Sequence, residues 1–105
     1  MTPYSDTQST FIFQRITIIG IGLIGSSVSR ALKSKAGLVQ EIIATDSDKD
    51  NLAKASDLGI VDTICDDINE AVSRSDCVIL CTPIGTYEKI VEQIAPSLPP
   101  GCVLS

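Results

Sequence analysis

An apolar, β-branched run, Ile16-Thr17-Ile18-Ile19, stops abruptly at a glycine. Two more glycines follow at the spacing G-x-G-x-x-G, as Gly20, Gly22 and Gly25, and a helical pattern begins within them. This strand-turn-helix context narrows the possible folds more than any other feature of the chain. Gly20 suits the backbone angles of a tight turn that a residue with a Cβ resists. Gly22, without a side chain, lets a pyrophosphate approach the backbone, and Gly25 lets the new helix pack tightly on the strand. The helix start leaves free N–H groups and a partial positive charge, which together suit a phosphate. The segment therefore points to a dinucleotide, with Gly20, Gly22, Leu23, Ile24 and Gly25 as its candidate contacts. A tight turn with no ligand would use the same glycines. A methyltransferase loop is disfavoured, because Ile18 and Ile19 stand where an acidic residue would be expected.

The pattern downstream alternates. A helix after Gly22 carries Ile24, Val28, Ala31 and Leu32 on one face, with Ser27, Arg30 and Ser34 on the other. Lys33 and Lys35 favour its carboxyl end, and Gly37 stops it. Glu41 to Thr45 reads as a second strand, closed by Asp46. Ser47-x-x-Asp50 resembles a capping box for a helix running to Leu58, with Gly59 as its stop. Val61 to Cys65 is a weak third strand, and Asp67-x-x-Glu70 caps a short helix using Ile68, Ala71 and Val72. Cys77 to Cys81 is a strongly apolar fourth strand, ended by Thr82-Pro83. Thr86 is placed to cap a helix with the stripe Tyr87, Ile90, Val91 and Ile94. Pro96, Pro99, Pro100 and Gly101 break it before a fifth strand at Cys102-Val103-Leu104. Phe11 and Phe13 are candidate core aromatics at the entry to the first strand.

Continuous apolar strands separated by helices belong to parallel sheets covered on both faces. The expected class is therefore α/β, a Rossmann-like doubly wound parallel sheet of five strands in the order 3-2-1-4-5. The 105 residues suit one such domain, residues 11–105, behind a loose polar tail, residues 1–10.

Charge and composition exclude several partners. Lys and Arg total 8 against 13 Asp and Glu, a net charge of −5, which argues against nucleic acid or an acidic membrane surface. No apolar run approaches the roughly 20 residues of a membrane-spanning helix. The first nine residues lack an apolar leader core, so no secretory signal is expected. Cys65, Cys77, Cys81 and Cys102 form no C-x-x-C, and there is no histidine, so no metal site is expected. Within one strand Cys77 and Cys81 stand about 13 Å apart, too far to bridge. All four read as small buried residues of a reducing cytoplasm. The absence of histidine also removes the commonest general acid/base.

Asp46 lies at the tip of the second strand, where a Rossmann fold places the acid that accepts hydrogen bonds from the adenosine ribose. A carboxylate there repels a 2′-phosphate and favours NAD over NADP. Its neighbour Ser47 joins it as a candidate. The alternative for Asp46 is an ordinary turn aspartate, and for Lys49 a solvated lysine rather than a 2′-phosphate ligand. Cys81, Thr82 and Pro83 close the fourth strand at the topological switch point, where ligands bind. They are candidates for the nicotinamide-side ribose, or a simple strand terminator. Ser26 and Ser27 are explained equally by capping and by phosphate contact.

The stretch Ile18-Ile19-Gly20-Ile21-Gly22-Leu23-Ile24-Gly25-Ser26-Ser27, then Asp46, then Asp76-Cys77-Val78-Ile79-Leu80-Cys81-Thr82-Pro83, resembles the N-terminal NAD-binding domain of the prephenate/arogenate (cyclohexadienyl) dehydrogenase family. The resemblance extends from Phe11 to Ser105. It implies an enzyme of tyrosine biosynthesis that oxidatively decarboxylates prephenate or arogenate with hydride transfer to a nicotinamide. It carries cofactor roles onto Gly20, Gly22, Gly25, Asp46, Thr82 and Pro83. The family's D-x-x-S-x-K-like segment, its catalytic histidine and its helical dimerisation domain would all follow Ser105. The resemblance thus implies no catalytic residue within this chain, no turnover by it alone, and a homodimer only for the complete enzyme. A dehydrogenase with a similar front domain, of the 6-phosphogluconate or pyrroline-5-carboxylate reductase type, and a non-catalytic NAD-sensing module remain alternatives.

Overall fold

The structure, a computed structural model, describes residues 11–105. The expected tail, residues 1–10, lies outside them. Five strands form one sheet: β1 (Phe13–Ile19), β2 (Val39–Thr45), β3 (Thr63–Ile64), β4 (Cys77–Leu80) and β5 (Val103–Leu104). Every pairing is parallel and the order is β3-β2-β1-β4-β5, as expected from the alternating pattern. Ile16 pairs with Ile42 on one side and Cys77 on the other, which places the most apolar residues at the sheet centre.

Side-chain alternation along β1 sends Ile16 and Ile18 to one core and Ile19 to another. The first core holds Ile42, Ala44 and Cys77, with Leu52 and Ala55 from α2 (Lys49–Asp57) and Val28 and Leu32 from α1 (Leu23–Lys33). The second holds Val78 with Val72 from α3 (Ile68–Ser73) and Ile94 from α4 (Tyr87–Ile94). Helices therefore cover both faces. Burying one isoleucine side chain contributes roughly 2 kcal/mol. Ile16, Ile18, Ile42 and Ile43, all essentially inaccessible, outweigh the exposed Lys33–Asp62 pair at 2.9 Å, a class worth at most about 1 kcal/mol.

The polar residues in the core are satisfied. Thr17 bonds to the Ser75 hydroxyl and to the Ala71 carbonyl, and Ser29 donates to the Ile60 carbonyl at 2.6 Å. Asp76 accepts from the backbone N–H of Gln14 and Arg15 at 2.8 and 2.9 Å, which holds the entry of β1 against β4. Phe13 packs against the first core, and Phe11 is half-buried.

Several local expectations are corrected. β1 and β2 begin earlier than their apolar runs, at Phe13 and Val39, because pairing with a neighbouring strand extends backbone order beyond the hydrophobic residues. β3 is only two residues long, at the sheet edge. Ile24 and Ala31 do not line the buried face of α1; Ile24 is 69% exposed, and Gly25, Val28, Ser29 and Leu32 face the sheet instead. The cap of α2 is Asp48, whose side chain accepts from Asp50 N–H, not Ser47. Thr86 makes no capping bond, because the turn Ile84–Thr86 is already helical and draws its hydroxyl to the Pro83 carbonyl. Asp67 caps α3 as expected, accepting from Asn69 and Glu70 N–H. The stripe of α4 also holds, with Ile94 fully buried and Tyr87, Ile90 and Val91 partly so.

The seat of α1 on β1 depends on Gly25. A Cβ there would lie 2.1 Å from the Gly20 carbonyl oxygen, an overlap that only backbone movement could relieve. Gly25→Ala should therefore destabilise the domain by at least about 2 kcal/mol. Urea denaturation checks this, and an unchanged midpoint would contradict the packing described.

Candidate functional site

The carboxyl ends of β2, β1 and β4 are stitched together just where β1 turns. Gly20 N–H donates to the Thr45 carbonyl, and Cys81 N–H to the Ile19 carbonyl, each at 2.8 Å. Gly20 leaves β1 with φ +91°, a conformation that suits glycine. A Cβ on it would also meet Thr82 Cγ2 at 2.8 Å and the Cys81 carbonyl at 3.1 Å. Gly22 differs. Its φ is −63°, and a Cβ on it would approach only the Asn51 side-chain nitrogen, at 4.0 Å. Nothing in the domain itself requires glycine at position 22. The space above it is open, which fits a molecule laid against the loop.

Gly22 is the N-cap of α1 and provides no side-chain cap. Ser26 and Ser27 do not supply one. Their hydroxyls donate back to the Ile21 and Leu23 carbonyls, at 3.0 and 3.2 Å. The first turn thus retains its partial positive charge, uncapped by any side chain among the described residues, at the end of the sheet. Leu23 and Ile24, in that turn, are 88% and 69% exposed.

Asp46 follows β2 and reaches over the glycine loop. Its Oδ2 accepts from Ile21 N–H at 2.9 Å and lies 3.4 Å from the Asn51 amide, while its Oδ1 accepts from Asp48 N–H at 2.9 Å. The carboxylate is thereby held at the loop with lone pairs still open on a partly exposed side chain. Ser47 is exposed beside it.

Two cavities flank this point. One, of about 300 Å³, is bounded by Gly20, Asp46, Ser47, Ile68, Ile90 and Thr82. The other, of about 490 Å³, is more apolar and is bounded by Ile24, Cys81, Thr82, Pro83, Ile84 and Tyr87. Thr82 belongs to both, so they meet at the switch between β1 and β4. Thr86 Oγ1 lies 2.8 Å from Thr82 Oγ1, and the Tyr87 hydroxyl donates to the Leu80 carbonyl at 3.3 Å, which steadies the wall of the larger cavity. Burial pushes the Cys81 thiol above its ordinary range, so it stays protonated at neutral pH. Burial, then the neighbouring Cys102 and the Asp76 carboxylate, does the same to Cys77, and burial with Asp76 does so to Cys102. Only Cys65 and Cys77 are buried as expected; Cys81 and Cys102 are half-buried, because they stand at a strand end and ahead of the edge strand β5. A further groove of about 350 Å³, between α1 and α2, carries Arg30, Asn51 and Lys54.

The candidate residues read from the sequence are thus brought to one rim: the glycine loop, Asp46 and Ser47 on the β2 side, and Cys81, Thr82 and Pro83 on the β4 side. Sequence reasoning missed Asn51, Ile68, Ile84, Ile90 and Tyr87. They sit in helices or turns whose apolar or polar pattern is explained without any ligand. Only the known placement of strand ends could have singled them out. Among the described residues no cluster of three or more His, Cys, Asp or Glu is placed to hold a metal ion, and no helix is long and apolar enough to cross a membrane.

Known proteins share this fold. Residues 28–105 match the family described as "Prephenate dehydrogenase, nucleotide-binding domain", which takes in Asp46 and the Thr82 switch point. The cyclohexadienyl dehydrogenase of Zymomonas mobilis is 36% identical over 89 residues, covering 83% of this chain and 29% of the relative. The structure of Synechocystis arogenate dehydrogenase superposes with a TM-score of 0.77 at 25% identity, covering 87% of this chain and 31% of that one. A prephenate dehydrogenase from A. aeolicus, in complex with hydroxyphenyl propionate and NAD+, superposes with a TM-score of 0.78 at 24% identity, which shows the shared fold; the match covers 87% of this chain and 32% of that one. The chain spans less than a third of the length of each of these proteins. With well over half of its residues matched, the chain belongs to the prephenate dehydrogenase family, as its nucleotide-binding domain.

Proposed function

We propose that residues 11–105 form the cofactor domain of a prephenate- or arogenate-oxidising dehydrogenase and that the cofactor is NAD. The observation that carries this reading is Gly22. It alone of the three motif glycines has open space where a Cβ would stand, directly beside the Asp46 carboxylate that a ribose requires. The pyrophosphate lies against the backbone of Gly20, Gly22, Leu23, Ile24 and Gly25, facing the uncapped turn of α1. Asp46 accepts from the adenosine ribose hydroxyls, with Ser47 beside it. Cys81, Thr82 and Pro83 line the nicotinamide half, beside the more apolar of the two cavities. When bound, the nicotinamide supplies the hydride acceptor for an oxidative decarboxylation. The residues described here bind and orient it.

Prephenate or arogenate as substrate, and a homodimer, are proposed for the complete enzyme by likeness to the relatives named above. Four free cysteines suit a reducing cytoplasm, which we take as the compartment.

NAD or NADH should bind more tightly than NADP by at least about tenfold, or 1.4 kcal/mol, because a 2′-phosphate would face the Asp46 carboxylate. Calorimetric titration measures this, and tighter binding of NADP would refute the assignment of Asp46. Gly22→Val should abolish NAD binding yet keep stability within about 1 kcal/mol, since no protein atom crowds that position. Unchanged affinity in a folded Gly22→Val variant would reduce the loop to a turn. The 105-residue chain, which holds no histidine, should form no NADH from NAD with either prephenate or arogenate. Turnover near 1 per second, a rate ordinary for enzymes, would require a catalytic group within these residues.

A further inference from the structure

We infer that Asp66 selects the base of the dinucleotide, favouring adenine over a 6-oxopurine. This rests on the cofactor reading above and adds to it the recognition of the base.

The cavity on the β2 side, about 300 Å³, is large enough for a purine and has the walls for one. Ile68 and Ile90 supply apolar surface from α3 and α4, both partly buried. Asp46 and Ser47 mark its ribose end. Asp66 stands on its rim, just before α3. No lysine or arginine lines it.

The neighbouring aspartates are committed. Asp46 holds Ile21 and Asp48 N–H, Asp48 caps α2, and Asp67 caps α3 with bonds to Asn69 and Glu70 N–H. Asp66 makes no hydrogen bond or ion pair among the described residues, yet it borders the same cavity. Asp66 is therefore the carboxylate on this rim left free to meet a ligand.

A carboxylate only accepts hydrogen bonds. Adenine presents a 6-amino donor on the edge away from the ribose, whereas hypoxanthine and guanine present a carbonyl oxygen there. Beside Asp66 the amino group gains a charge-assisted bond, whereas the 6-carbonyl is repelled and a 6-oxopurine has only its adjacent N1–H to offer. Asp66 is exposed to water, so the discrimination is moderated rather than absolute.

The test compares NAD with nicotinamide hypoxanthine dinucleotide, which differs only at that edge of the base. Both are titrated calorimetrically into the wild-type chain and into Asp66→Asn and Asp66→Ala, with circular dichroism showing that each variant is folded. Loss of a negative charge favours both dinucleotides alike, so the ratio of dissociation constants is the readout. The wild type should prefer NAD by about tenfold, the worth of one charge-assisted hydrogen bond. Asp66→Ala should bring the ratio near one. Asp66→Asn, whose amide can donate to the 6-oxygen, should bring it to one or reverse it. Equal binding of the two dinucleotides by the wild type, or a preference that survives in both variants, overturns the role of Asp66 while the cofactor reading stands. Failure of NAD itself to bind removes the cofactor reading, and this inference with it.

Discussion

At Gly25, α1 lies so close to the end of β1 that an added methyl carbon would sit 2.1 Å from the Gly20 carbonyl oxygen. Much of the molecule's arrangement depends on that approach. It fixes the rotation of α1, so that Gly25, Val28, Ser29 and Leu32 face the sheet. Ser29 can then reach the Ile60 carbonyl, which ties α1 to the chain entering β3. The same rotation turns Leu23 and Ile24 outward, leaving apolar surface at the rim of the larger cavity. Packing and site are therefore consequences of one contact.

The second constraint is electrostatic. A chain with net charge −5 offers little general attraction to an anionic dinucleotide. What it offers is local: the uncapped first turn of α1, with backbone N–H groups facing an open glycine. Asp46 lies across this loop and would oppose an anion, but it is engaged by Ile21 and Asp48 N–H. Those bonds spread its charge and hold it on the β2 side of the loop. Positive backbone and negative side chain are thus separated along one crevice, matching a ligand with phosphates in the middle and hydroxyls beside them.

Much of the fold could be read from the chain. The apolar runs at Ile16–Ile19, Ile42–Ala44 and Cys77–Cys81, with helical stripes between, led to a parallel five-stranded sheet in the observed order. The turn at Gly20 and the tight packing at Gly25 followed from the glycine spacing. Other features were hidden. The outward turn of Ile24 contradicts its apolar character, because the glycine contact, not the hydrophobic stripe, sets the helix rotation. Asp48 rather than Ser47 caps α2, because the Asp46 carboxylate already draws the backbone of this turn toward itself. The role of Asp76 in holding β1 joins residues 62 and 61 apart in sequence, and no local pattern encodes that.

The amino-acid sequence by itself determined the succession of elements, the parallel sheet, and where the chain must turn without side chains. These depend on periodicity and on glycine, properties carried by a few adjacent residues. Only the tertiary structure decided which polar groups are committed and which are left free. It joined Asp46 to Ile21, and it left Asp66 without a partner among the described residues, beside a cavity with Ile68 and Ile90 for walls. Hydrogen bonding depends on tenths of an ångström between elements far apart in the chain, and those distances exist only once the sheet has closed.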